Sequence, residues 1–160
     1  RALLYDELRR IIARARRSGD IFALLMIDLD GFKWVNDTHG HAIGDQLLET
    51  IANRLQDCVR VSDTVARLGG DEFVVVVESV LDDDQALAVG AKIIATLSRP
   101  ATIDRHTVQV GASIGVALWP RDADDTDRLL LAADRAMYQA KEGGRGHCRL
   151  ASAVSEGAKE

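Results

Sequence analysis

The sequence predicts an α/β sandwich: one mixed or largely antiparallel sheet, helices packed on it, and a β-hairpin at its middle. Three observations predict this. Apolar residues recur at helical spacing in four segments, near 3–17, 47–60, 83–97 and 126–141. Runs of strand length stand between them, at 21–27, 73–77 and 101–118. Gly69-Gly70 separates the β-compatible Thr64-Val65-Ala66 from Phe73-Val74-Val75-Val76-Val77, and paired glycines accept the positive φ angles of a tight turn. The order α–β–α–β–β–α–β–(β)–α is too irregular for a Rossmann arrangement.

At 160 residues the chain suits one domain with one core. Its net charge of −5 argues against a broad electrostatic grip on a nucleic-acid polymer. A small phosphorylated ligand stays open, because metal ions neutralise it locally. Cys58 and Cys148 match no metal-site spacing, and Cys58 falls on an apolar helical face as a reduced, buried thiol. No apolar run is long enough for a bilayer and no signal peptide is visible. The chain starts at Arg1 inside a helical pattern, so a domain cut from something longer is expected.

In the first helix Leu4, Leu8, Ile11, Ile12 and Ala15 form the apolar stripe. Arg9, Arg10, Arg14, Arg16 and Arg17 face either a phosphate or partner, or simply solvent. Ser18-Gly19-Asp20 stops the helix. Ile21 to Ile27 reads as a central strand buried on both faces. Asp28 comes directly off it, where a rigid strand fixes a carboxylate; Asp30, before Gly31, fits a turn former. Gly31 and Lys33 give a weak phosphate signal without Walker spacing. The polar stretch Asn36–Asp45 reads as turn-rich and leads into a helix with Leu47, Leu48, Ile51, Leu55 and Val59 on one stripe. Asn36 and Asp45 fit the edge of a guanine, or else a turn and a helix cap.

Arg60 to Asp63 joins that helix to the hairpin. Asp82-Asp83-Asp84 supplies N-cap chemistry for the next helix, which Arg99-Pro100 ends. In 101–118, with a turn at Asp104-Arg105-His106, alternation predicts strands with one buried face. Pro120–Asp125 is a loop, and the last helix ends at Gly143-Gly144. Lys141 and Arg145 flank that end, placed for an anion or for the helix dipole. The domain is expected over 1–150, with a disordered tail at 151–160.

The chemistry gathers at the hairpin. Asp71 and Glu72 follow its glycines at once, and like charges at a tip add nothing to a core. If the strand ending at Asp28 is a neighbour, three carboxylates converge. Hard oxygen ligands without His or Cys favour Mg²⁺ or Mn²⁺, which keep substrate phosphates in their shell. Two such metals activate a hydroxyl and stabilise a leaving pyrophosphate. The residues therefore point to metal-dependent nucleotidyl transfer.

Gly69-Gly70-Asp71-Glu72-Phe73 resembles the GGDEF motif of diguanylate cyclases. So do Asp28-Leu29-Asp30-Gly31-Phe32-Lys33, Asn36-Asp37, Gly40-His41, Gly44-Asp45, Ser113-Ile114-Gly115, Ala133-Asp134, Met137-Tyr138, Ala140-Lys141 and Gly144-Arg145, in the family's order over residues 1 to about 149. The resemblance implies a palm-like α/β sandwich of the nucleotidyl cyclase type, with a central, mostly antiparallel five-stranded sheet. It implies condensation of two GTP into cyclic di-GMP and two pyrophosphates. Asp28, the Leu29 carbonyl, Asp71 and Glu72 would hold the Mg²⁺ or Mn²⁺, two per site, and Asp71 would also activate the 3′-hydroxyl. Lys33 and backbone N–H groups around Phe32 would meet the phosphates, Asn36 and Asp45 guanine, and Lys141 and Arg145 the terminal phosphates, with His41 near the nucleotide. Each half-site would hold one GTP, so a homodimer is implied. Arg60-x-x-Asp63 stands where many members carry an inhibitory product site.

The Asp-x-Leu-Thr-type turn that usually precedes the first helix is absent, and sensor or effector domains are expected beyond the segment. The implied location is cytoplasmic, with the full-length protein free to be membrane-anchored. The competing reading is a catalytically weak module that senses GTP or cyclic di-GMP for an attached domain. A purine cyclase with a mononucleotide product is disfavoured by Asn36 and Asp45.

Overall fold

The computed structural model describes residues 1–153. In chain order they form α1 (Ala2–Ser18), β1 (Phe22–Asp30), α2 (Phe32–His39), α3 (His41–Cys58), β2 (Thr64–Gly69), β3 (Glu72–Val77), α4 (Asp83–Leu97), β4 (Ala101–Ile103), β5 (His106–Val108), β6 (Gly111–Trp119), α5 (Thr126–Glu142) and β7 (Cys148–Leu150). The main sheet runs β2-β3-β1-β6-β7, and β4-β5 form a separate hairpin. Every pairing in the main sheet is antiparallel except β6 with β7. This is the mostly antiparallel five-stranded sheet flanked by helices that the resemblance implies.

Strand periodicity builds three layers. On β1, Phe22, Leu24 and Met26 pack with Leu8, Ile11, Leu129 and Ala133, putting α1 and α5 on one face. The odd positions Ala23, Leu25, Ile27 and Leu29 pack with Leu47, Ile51, Leu55 and Ile93, putting α3 and α4 on the other. Two apolar faces explain why β1 reads as a continuous hydrophobic run. The alternation continues past the apolar core. Glu72, Asp28, Asp30 and Ser113 therefore fall on the α5 side, at the same end of the sheet.

Four local expectations change. β1 extends to Asp30, so Asp28 lies within the strand rather than after it. Most of the polar stretch at Asn36–Asp45 is helical: α2 holds only Phe32 and Val35 in the core, at one-turn spacing, and Gly40 (φ 89°) breaks it from α3. β6 is buried on both faces, not one. Its small residues let α5 lie directly on it; a Cβ at Gly115 would run into the α5 backbone at Ala133 and Met137. The expected disordered tail begins instead with helical Ala151, Ser152 and Ala153, the first of them buried. The rest of that segment, 154–160, lies outside the described residues.

Other expectations match. Gly19 ends α1 in the left-handed region, its N–H bonded to Ala15 O at 2.8 Å. Asp82 caps α4 by accepting from Gln85 N at 2.9 Å. Cys58 is buried and both cysteines are free; burial pushes the Cys148 thiol up to about 12. Four α1 arginines are tied to protein acceptors: Arg9 to Asp6, Arg10 to Glu7, Arg14 to Glu78 and Arg16 to the Asp124 carbonyl. No helix among the described residues is long and apolar enough to cross a membrane.

Candidate active site

The hairpin β2–β3 turns at Gly69 (φ 145°) and Gly70 (φ 52°), with a bulge between Arg67 and Gly69. Arg67 Nε donates to the Gly70 carbonyl at 3.0 Å and fixes the tip. The tip then docks on β1. Glu72 lies opposite Asp28, and Leu29 N donates to Asp71 O at 3.2 Å. An extended residue turns its N–H and C=O to the same side, so the Leu29 carbonyl also faces the tip. The three predicted carboxylates thus come from two segments that the sheet forces together.

Their electrostatics are unfavourable as they stand. Burial holds the Asp28 carboxyl above its ordinary range; Lys141 pulls it down, and the neighbouring Asp71 pushes it further up. Glu72 is raised by burial and then by Asp28, Asp134 and Asp71. Asp28 Oδ1 is buried and has no hydrogen-bond partner among the described residues, while Oδ2 meets Lys141 Nζ at 2.7 Å. An orphaned carboxylate oxygen beside like charges fits a hard divalent cation. Among the described residues no three acidic or His/Cys side chains form a closed metal cage. Mg²⁺ ordinarily takes one or two carboxylates and completes its shell with phosphate and water, so the donors Asp28, Asp71, Glu72 and the Leu29 carbonyl suit it.

A cavity of about 520 Å³ opens beside Asp28, Glu72, Asp134, Tyr138 and Lys141. On the far side of β1, Gly31 (φ 84°) turns the chain into α2. Phe32 is buried and Lys33 exposed in the first turn of α2, near its free backbone N–H groups. Asn36 packs against α3 at Gly44, where any Cβ would collide with its amide. Asp45 is not the cap of α3: Gly40 is, and Asp45 sits exposed in the second turn. It lines a cleft of about 280 Å³ between α3 and β2. His41 is exposed at the start of α3. Asn36 and Asp45 therefore flank one helix junction.

After α5 the chain makes a left-handed turn through Gly144 (φ 114°), Arg145 (φ 62°) and Gly146 (φ 66°) before entering β7. Lys141 points to Asp28 rather than to open solvent, with Asp30 Oδ1 at 3.9 Å. Asp30 is more than a turn former. Its oxygens accept from Ser113 Oγ at 3.0 and 2.8 Å, and Oδ2 also accepts from Gly146 N at 3.1 Å.

Arg60 and Asp63 do come together. Asp63 Oδ2 accepts from Arg60 N at 2.9 Å and Arg60 Nε at 3.4 Å. Its Oδ1 accepts from Glu78 N at 3.1 Å, and Arg60 Nη2 donates to the Glu78 carbonyl. The Asp63 side chain is 3% exposed, that of Arg60 54%. Ser113, Asp30 and Gly44 carry site geometry that sequence spacing did not assign; the Gly at 44, one residue before a candidate base reader, was the available signal.

Comparison with known proteins agrees with this geometry. Residues 1–147 match the family described as diguanylate cyclase, GGDEF domain. The bifunctional diguanylate cyclase/cyclic di-GMP phosphodiesterase MucR of Pseudomonas aeruginosa is 46% identical over 161 residues, covering 100% of this chain and 23% of MucR. The chain thus spans about a quarter of that relative's length. The GGDEF domain of Pseudomonas aeruginosa TpbB (YfiN), solved alone, superposes with a TM-score of 0.91 at 43% identity, covering 94% of this chain and 88% of that one. The GGDEF domain of DgcB from Caulobacter crescentus, solved with cyclic di-GMP, gives 0.82 at 28% identity, covering 92% and 87%. A tip that presses Asp71 and Glu72 onto Asp28, in a chain matched this fully, places the protein in the GGDEF domain family of diguanylate cyclases.

Proposed function

We propose that the domain condenses two GTP into cyclic di-GMP and two pyrophosphates. The observation that carries this is the buried, unpartnered Asp28 oxygen beside Asp71 and Glu72, with a lysine cation already drawn to the same carboxylate. Mg²⁺ or Mn²⁺, two per site, would supply hydroxyl activation and charge neutralisation for the leaving pyrophosphate when bound. Asp28, Asp71, Glu72 and the Leu29 carbonyl would hold the metals. Asp71 accepts the 3′-hydroxyl proton as the new 3′-O–P bond forms and the bond to the β-phosphate's bridging oxygen breaks. Lys33 and the N–H groups around Phe32 stabilise charge on the phosphates. Asn36 and Asp45 read guanine, His41 lies near the nucleotide, and Lys141 and Arg145 take the terminal phosphates.

One half-site serves one GTP, so two domains meet face to face and each 3′-hydroxyl attacks the other nucleotide's α-phosphate. Product returns to Arg60 and Asp63 as a feedback inhibitor; the half-exposed guanidinium supports a grip on phosphate or guanine. Attached sensor or effector domains would set the encounter of the two halves.

The test is incubation with GTP and Mg²⁺ at high protein concentration, with the product identified by mass. Cyclic di-GMP is expected, at a rate rising faster than linearly with protein, and Asp71→Ala should lower it by at least about 10³-fold. Tight GTP or cyclic di-GMP binding with no product at any concentration would favour the sensor reading instead.

A further inference from the structure

We propose that Asp30 and Ser113 form a buckle that fixes the turn after α5 and thereby aims Lys141 and Arg145 at the nucleotide's terminal phosphates. This rests on the cyclase reading above and adds two positioning residues to it.

The turn needs an outside hold. Three consecutive residues adopt positive φ, and one of them, Arg145, is not glycine. Such a residue is strained and persists only where its surroundings over-determine it. Local bonds and the β6–β7 ladder supply part of the restraint: Arg145 N to Ala140 O at 3.1 Å, His147 Nδ1 with Arg145 O at 2.9 Å, and Ile114 N to His147 O at 3.1 Å. The remaining restraint comes from afar. Gly146 N donates to Asp30 Oδ2 at 3.1 Å and to Ser113 Oγ at 3.2 Å. Ser113 is fully buried, so it cannot trade these partners for water.

The position of this buckle decides its role. Asp30 stands two residues beyond Asp28 on the same face of β1. The segment it clasps follows directly from Lys141, whose ammonium already bridges toward both carboxylates at 2.7 and 3.9 Å. Asp28 and Asp30 therefore divide the work. Among the described residues Asp28 keeps an oxygen free, while the Asp30 carboxylate shares the Ser113 hydroxyl proton between its two oxygens. A neutral acceptor would suffice to close the turn. A carboxylate makes the bond stronger, and it also leaves Lys141 a counter-charge when a cation takes Asp28.

The experiment compares 3′-deoxy-GTP, which lacks the attacking hydroxyl, with GMP, by calorimetry in Mg²⁺. In Asp30→Asn the preference for triphosphate over monophosphate should fall about tenfold, and in Ser113→Ala about threefold, with GMP affinity unchanged within about twofold. Arg145→Ala should lose most of its own effect when made on the Asp30→Asn background, as coupled residues do. Mn²⁺ affinity of the nucleotide-free chain should hold. Ser113→Ala, which only deletes a hydroxyl, keeps the test available should Asp30→Asn fold poorly. An unchanged preference, an equal loss for both nucleotides, or loss of Mn²⁺ binding in Asp30→Asn would each overturn the proposal. If the unaltered chain binds neither nucleotide, the cyclase reading falls as well; if it binds them and only the variants' preference stays put, the buckle alone is wrong.

Discussion

Two regions of this molecule bring Asp together with a basic side chain, and they do so in opposite ways. At Arg60 and Asp63 every charge is answered: Asp63 is nearly inaccessible, and it takes two backbone N–H groups and its own arginine. At the hairpin tip the charges are answered only in part, by Lys141 on one Asp28 oxygen. Asp28 and Glu72 are both raised by burial and by their acidic neighbours, and among the described residues the other Asp28 oxygen has no partner. The first arrangement stabilises the fold before any ligand arrives. The second is a local cost that a divalent cation would relieve. Asp63 is thus a clamp between the α3–β2 connection and the end of β3, and it holds the half-exposed Arg60 guanidinium where a ligand can reach it.

The sharpest way to break that contrast is to remove the clamp. Asp63→Ala leaves the Glu78 and Arg60 amides without their acceptor and should cost about 2–3 kcal/mol. Chemical denaturation checks this, and an unchanged midpoint would mean that Asp63 is no clamp. Arg60→Ala should do the converse. Its midpoint should fall less than that of Asp63→Ala, because both backbone donors to Asp63 remain, while the inhibition constant for cyclic di-GMP rises at least about tenfold. An inhibition constant that does not move removes the second site.

The smallest effect belongs to the tip. Glu72→Gln takes away a carboxylate held above its ordinary range, so the metal-free domain should melt about 1–2 °C higher. The sign follows from linkage. A raised carboxyl binds its proton more tightly folded than unfolded, so stability falls as pH rises from the ordinary carboxylate range through the raised value. The gain from Glu72→Gln should therefore shrink as the pH is lowered through that window. A lower melting temperature for the variant at neutral pH would mean that the tip is not strained.

Much of this contrast was legible in the sequence, and the reasons differ by element. The hairpin was legible because Gly69-Gly70 between β-branched runs admits few alternatives, and Asp28 because it follows an unbroken apolar run. α2 was not, since its composition is that of a turn and only Phe32 and Val35 reach the core. β7 is three residues long and carries no period. Asp30 looked like a turn residue because its partners, Ser113 and Gly146, are 83 and 116 positions away. Lys141 could be placed near an anion but not on Asp28, which depends on how α5 lies across β6. Local pattern marks the carboxylates; only the tertiary pairing tells which of them is spent.

The most direct measurement is Mn²⁺ binding to the nucleotide-free domain, followed by electron paramagnetic resonance across a pH series. Binding should weaken as pH falls, starting above the ordinary carboxylate range, and Asp28→Asn should abolish it while Asp63→Asn leaves it intact. Binding that ignores Asp28→Asn, or a chain that takes no Mn²⁺ at any pH, would contradict the account.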